Sequence, residues 1–127
     1  MKSLVPNLMV TSVNDTIAFY HDVLGFEIIA KLPETGTHVW AFMNHGGALV
    51  MFQEKSSLVA EIPELANQKI GGSLTLYVSV PDVRALFERV KGKARLVADM
   101  HTTFYEAEEF AIADCNGYIL VFAQHKE

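Results

Sequence analysis

The chain carries nearly the same passage twice. "WAFMNHGGALVMF" (40–52) and "FAIADCNGYILVF" (110–122) match in kind, with Trp40 over Phe110, Ala41 over Ala111, Asn44 over Asp114, Gly47 over Gly117 and Phe52 over Phe122. The same offset of 70 residues lays "SLVPNLMVTSV" (3–13) over "SLTLYVSVPDV" (73–83). Ser3/Ser73, Leu4/Leu74, Val10/Val80 and Val13/Val83 are then identical pairs. A constant offset at both ends of each half marks an internal duplication. Any fold for this chain has to be one unit built twice.

Each half opens with an extended apolar run, Leu4–Val10 or Leu74–Val80, followed by a polar turn. Asn14 and Asp82 are residue types that cap a helix start. The helices follow: Ile17, Phe19, Tyr20, Val23 and Leu24 give one apolar face, and Val83, Leu86, Phe87 and Val90 give the other at helical spacing. Gly25 and Gly92 stand where helices stop. Three extended runs close each half, at 27–32, 37–43 and 48–53, then at 94–98, 109–113 and 118–123. The last two of each set flank a glycine turn, "NHGG" or "DCNG", a hairpin signal. The chain therefore reads as a single α+β domain over 1–127. Its parts are two tandem βαβββ modules, about 3–53 and 73–125, and a polar linker, 54–72, with a short helix after Pro63. A sheet with one helix has one covered face, so two modules joined edge to edge are expected to curl as a mixed sheet around a cleft.

The longest apolar runs are strand-sized, which argues against a membrane span. The N-terminus lacks the apolar stretch of a signal peptide, and Cys115 is the only cysteine, so the cytoplasm is the expected compartment. A net charge of −5 without a basic stripe argues against nucleic acid as a partner.

"VNDTIAFYHDVLGFEII" resembles the helix signature of the vicinal oxygen chelate superfamily, in which "FY…LGF" recurs, and "FAIADCNGYILVF" resembles its closing signature, Asp-Pro-x-Gly before the last strand. That superfamily includes glyoxalase I, extradiol dioxygenases and bleomycin resistance proteins. The resemblance implies the glyoxalase/bleomycin resistance fold. It also implies, for the metal-dependent members, a divalent ion held by His, Glu or Gln. Carried onto this chain, the ligand places fall at Val5, Met51, Thr75 and Val121, none of which offers a ligand of that kind. The five histidines are scattered: His21 in the first helix, His38 at the start of a run, His45 in a turn, His101 in a loop and His125 in the C-terminal tail. No metal site and no cofactor is expected.

"PNLMVTSVNDTIAFY" and "FYEAEEFAIADCNG" resemble the bleomycin resistance proteins, dimers that hold a planar cationic drug between aromatic walls. Pro gives way here to Cys115, and the small residue usual after the aromatic pair to Glu106. Strand alternation places Val5, Asn7, Met51, Gln53, Thr75, Tyr77, Ile119 and Val121 on one kind of face. The expected function is binding of a small apolar or aromatic molecule, cations included, by a homodimer. The candidate ligand-binding residues are Asn7, His38, Trp40, Gln53, Tyr77, Phe104, Tyr105 and Glu109, with Trp40 taken as the repeat partner of Phe110. No residue is assigned a catalytic role. The alternative is a metal-dependent lyase, isomerase or dioxygenase with atypical ligands drawn from Gln53, His38 or His101.

Overall fold

The computed structural model describes residues 1–126 and divides into two compact units, Met1–Ile70 and a second beginning at Gly71. Each holds one four-stranded mixed sheet. In the first, β1 (Asn7–Val10), β2 (Glu27–Leu32), β3 (Trp40–His45) and β4 (Ala48–Glu54) lie in the order β1-β4-β3-β2. In the second, β5 (Thr75–Ser79), β6 (Arg95–Thr102), β7 (Glu108–Ala113) and β8 (Ile119–Gln124) lie in the order β5-β8-β7-β6. The first strand runs parallel to the last in each sheet, and the other pairs are antiparallel. The duplication is thus a duplication of topology.

One helix covers one face of each sheet. Helix α1 (Val13–Asp22) starts at Ser12, whose hydroxyl accepts the Asp15 amide at 3.1 Å. Asn14, expected as the cap, lies inside the helix. Its side chain reaches outward instead, donating to the Gly36 carbonyl and accepting the His38 amide, so it fastens the β2–β3 loop. Val13, Thr16 and Tyr20 are buried, and the Tyr20 ring stands 4.6 Å from that of Phe52, among Leu8, Val10, Ala41, Met43 and Val50. Helix α3 (Val83–Val90) is capped by Asp82 as expected, the carboxylate accepting the Ala85 amide at 3.0 Å. Its Val83, Leu86 and Val90 are buried with Phe110, Ile112, Leu120 and Phe122, and Phe87 meets Phe110 edge-on at 5.1 Å. Each of these large side chains contributes roughly 1.5–3 kcal/mol by leaving water.

The linker is more ordered than its composition suggests. Helix α2 (Lys55–Glu61) begins directly after β4, capped by Glu54, and a single 3₁₀ turn (Pro63–Leu65) follows it. The proline thus sits past the main helix rather than before it. Among the described residues no helix is long and apolar enough to cross a membrane.

The register corrects one pairing read from the sequence. Trp40 stands opposite Gln53, and Glu109, not Phe110, stands opposite Ala123. Gln53 and Ala123 correspond at the 70-residue offset, so Trp40 corresponds to Glu109. The cause is the hairpin turn. In the first unit Asn44 pairs with Leu49 around residues 45–48, whereas in the second the equivalent pair, Ala113 with Ile119, closes around residues 114–118. There Asp114 folds the turn on itself, its carboxylate accepting the amides of Asn116 and Tyr118. The second hairpin is one residue longer, and one residue moves a strand side chain to the opposite face. Phe110 accordingly lies in the helix-covered core, fully buried.

Candidate functional site

The face of each sheet away from its helix carries the polar candidates. In the first unit this face presents Asn7, Met9, Trp40, Phe42, Met51 and Gln53. Asn7 donates to the Gln53 side-chain oxygen at 2.9 Å, and the Gln53 nitrogen donates to the Ser57 hydroxyl at 3.0 Å and to Glu61 at 3.1 Å. Helix α2 therefore takes both donors of the buried Gln53 amide while Asn7 takes its oxygen, as burial of a polar group demands. Trp40 is partly exposed, tilted against Phe42 at 6.3 Å. His38 is not on this face. It is buried in the β2–β3 loop, where Nδ1–H donates to the Pro33 carbonyl at 2.6 Å. That bond makes His38 a fastening of the loop.

The second unit gathers four groups on its open face. Glu109 is only 6% exposed, yet it is a carboxylate in a strand. Two phenols satisfy it: Tyr77 donates to Oε2 at 2.8 Å, and Tyr105 donates to the same oxygen. Tyr77 from β5, Glu109 from β7 and Ala123 from β8 share this face by register. Tyr105 comes from the β6–β7 turn. There Thr103 accepts the Ala107 amide on its hydroxyl, and Glu106 takes a left-handed backbone conformation at φ 63°. The same turn holds Phe104 97% exposed, its ring edge-on to Tyr105 at 4.9 Å.

The fourth group is His125, which the sequence places in the C-terminal tail. Its Nε2 lies 3.0 Å from the Tyr77 hydroxyl, and its ring stacks on Tyr105 at 6.1 Å. The signal was available: counting by twos from Ile119 through Val121 and Ala123 puts residue 125 on the same face. The Tyr77 proton is committed to Glu109, so Nε2 is the donor to Tyr77 oxygen. The Tyr77 hydroxyl is pushed above the usual phenol range, first by loss of hydration and then by its hydrogen bonds to Glu109 and Tyr105. An open groove of about 940 Å³ lies alongside, with Ser79, Thr102, Glu106 and His125 in its wall.

The four places to which the resemblance carries metal ligands fall apart chemically. Val5 precedes β1, Met51 pairs with Asn7, Thr75 opens β5 and Val121 pairs with Tyr77. Two alkyl chains, a thioether and a hydroxyl do not fit a hard or borderline divalent ion. Among the described residues no three His, Cys, Asp or Glu side chains stand together as a ligand set. Cys115 is exposed in the β7–β8 turn.

The fold has many relatives among solved structures. A protein of unknown function from Agrobacterium tumefaciens str. C58 superposes with a TM-score of 0.82 at 21% identity, covering 99% of this chain and 95% of that one. TioX from Micromonospora sp. ML1 gives 0.75 at 19% identity, covering 99% and 98%. A glyoxalase/bleomycin resistance protein/dioxygenase family enzyme from Burkholderia phytofirmans PsJN gives 0.76 at 18% identity, covering 96% and 97%. At these identities the likeness is one of fold. No curated protein matches the chain significantly. The profile of one family matches residues 4–122, nearly the whole of both modules. The chain belongs to the Glyoxalase/Bleomycin resistance protein/Dioxygenase superfamily.

Proposed function

We propose that this protein binds a small apolar or aromatic molecule, cations included, and does so without the divalent metal of its enzymatic relatives. The observation that carries the reading is Glu109: a nearly buried carboxylate on an open sheet face, surrounded by the exposed rings of Tyr77, Phe104 and Tyr105. Exposed aromatic rings offer stacking area, and a carboxylate among them favours a positive partner. Trp40 on the first unit's open face is a second stacking surface, with Asn7 beside it as a hydrogen-bonding group. The role that follows is sequestration of the bleomycin-resistance kind, by a cytoplasmic homodimer. The metal-dependent lyase or dioxygenase reading has no ligand set at the family positions to favour it.

The test is a titration of the full chain with an acridinium dye and with its uncharged analogue, followed by Trp40 and dye fluorescence. Saturable binding of the cation, weakened by Tyr105→Ala and Trp40→Ala in folded protein, supports the reading. Equal, unsaturable signals from both dyes would sink it. Elemental analysis for Mn, Fe, Co, Ni, Cu and Zn tests the metal half, since stoichiometric divalent metal in the purified protein would overturn it. Sedimentation equilibrium tests the dimer.

A further inference from the structure

We propose that Tyr77, Tyr105, Glu109 and His125 form a site for a hard trivalent cation, ferric iron being the one whose chemistry fits. This site is distinct from the places where the resemblance puts a divalent ion, and it does not rest on the aromatic-ligand reading.

Donor type comes first. Two phenols, a carboxylate and an imidazole converge on one face. Phenolate and carboxylate oxygens are hard, charged donors, and an imidazole nitrogen suits iron as well. Two phenolates and one carboxylate carry three negative charges, which balance a trivalent ion and overcompensate a divalent one.

Spacing comes second. Ligands about 2.0–2.1 Å from a small octahedral ion stand about 2.9 Å from their cis neighbours. Tyr77 oxygen lies 2.8 Å from Glu109 Oε2 and 3.0 Å from His125 Nε2, and Tyr105 oxygen touches the same Oε2. The separations of Tyr77 from Glu109 and from His125 thus match two cis edges of such a sphere. The four groups come from two strands, a pinned turn and the residue after β8, and the adjoining groove provides entry.

The protons balance. On binding, Tyr77 and Tyr105 each release one proton to solvent and bind as phenolates. Glu109, relieved of both hydrogen bonds, turns its oxygen to the ion. His125 exchanges its proton from Nε2 to Nδ1 through solvent and binds through the freed Nε2, with no net change in its charge. No electron moves. Four protein donors leave two of six positions for water or an oxygen-bearing ligand.

The experiment is a titration of the full chain with ferric nitrilotriacetate. The expected result is a visible phenolate-to-iron charge-transfer band that saturates at one equivalent, with iron retained through gel filtration. Tyr105→Phe should weaken iron retention by roughly tenfold or more, and the double variant Tyr77→Phe/Tyr105→Phe should lose the band. Gallium(III) on the unaltered chain should give the ultraviolet signature of two ionised tyrosines, which needs no variant to fold. Absence of the band, its survival in the double variant, or gallium binding without tyrosine ionisation would each overturn the site. Dye binding without a ferric band overturns this inference alone, and a ferric band without dye binding overturns the ligand reading alone.

Discussion

Trp40 and Glu109 occupy the same place in their two sheets. Each faces the residue that the repeat makes equivalent, Gln53 for one and Ala123 for the other, although Trp40 and Glu109 are 69 residues apart and their partners 70. An indole and a carboxylate therefore stand where a strict repeat would have put two aromatic rings.

This placement separates two substitutions that the sequence alone would equate. Phe110→Ala removes a fully buried ring packed against Phe87 and Phe122, and should cost about 3–5 kcal/mol in urea unfolding. Trp40→Ala removes a partly exposed ring and should leave a stable protein with weakened dye binding. Similar stability losses in the two variants would contradict the register.

Tyr77 and Tyr105 share one acceptor oxygen. Either phenol alone can satisfy part of Glu109, so each Tyr→Phe change should cost about 1 kcal/mol. With both gone the carboxylate is buried without either donor. The double variant should therefore lose more than the two singles together, by roughly 0.5–3 kcal/mol. A double-mutant cycle from denaturant midpoints measures that excess, and strict additivity would mean that the phenols do not act on one group.

Glu54 caps α2 with its side chain, and its carboxyl is held below the usual carboxylate range, chiefly by the Ser56 hydroxyl and then by the Ser56 amide. A depressed folded value means the stabilisation is present above the ordinary range and fades as pH falls through the lowered value. Glu54→Ala should cost about 1 kcal/mol at neutral pH. The gap to the parent should close on acidification, followed by melting from pH 7 downward. A gap that widened on acidification would reverse the sign.

Gly71 has φ 92°, and a methyl there would run into the Asn116 carbonyl oxygen of the closing turn. Gly71→Ala should cost about 1–3 kcal/mol, from left-handed strain together with the collision. Gly47 has open space and no such backbone, so Gly47→Ala should change stability little. Comparable melting points for the two would contradict the close approach.

The order of the strands and of α1 and α3 was legible because apolar alternation, helical spacing and glycine punctuation agreed at each element. Four things escaped. Helix α2 has seven residues and starts at a glutamate, an unusual cap, so its serines read as linker. His38 looked available for binding because a strand pattern says nothing about a loop that folds back on Pro33. The shift of Phe110 into the core depended on how Asp114 coils its turn, a hydrogen-bonding choice that spacing cannot encode. Glu109 and Tyr105 are legible separately as candidates but not as hydrogen-bonded partners, and His125 is hidden by its place in the tail.

Helix α2 also gives the two copies different fates. By drawing the Gln53 amide onto Ser57 and Glu61, it turns the polar centre of the first open face inward, toward the protein itself. At the equivalent place in the second unit stands Ala123, which has no amide to draw in, and the buried carboxylate of Glu109 is met instead by Tyr77 and Tyr105. The two copies thus satisfy their buried polar groups by different means, one through a helix that follows the sheet and the other through two phenols.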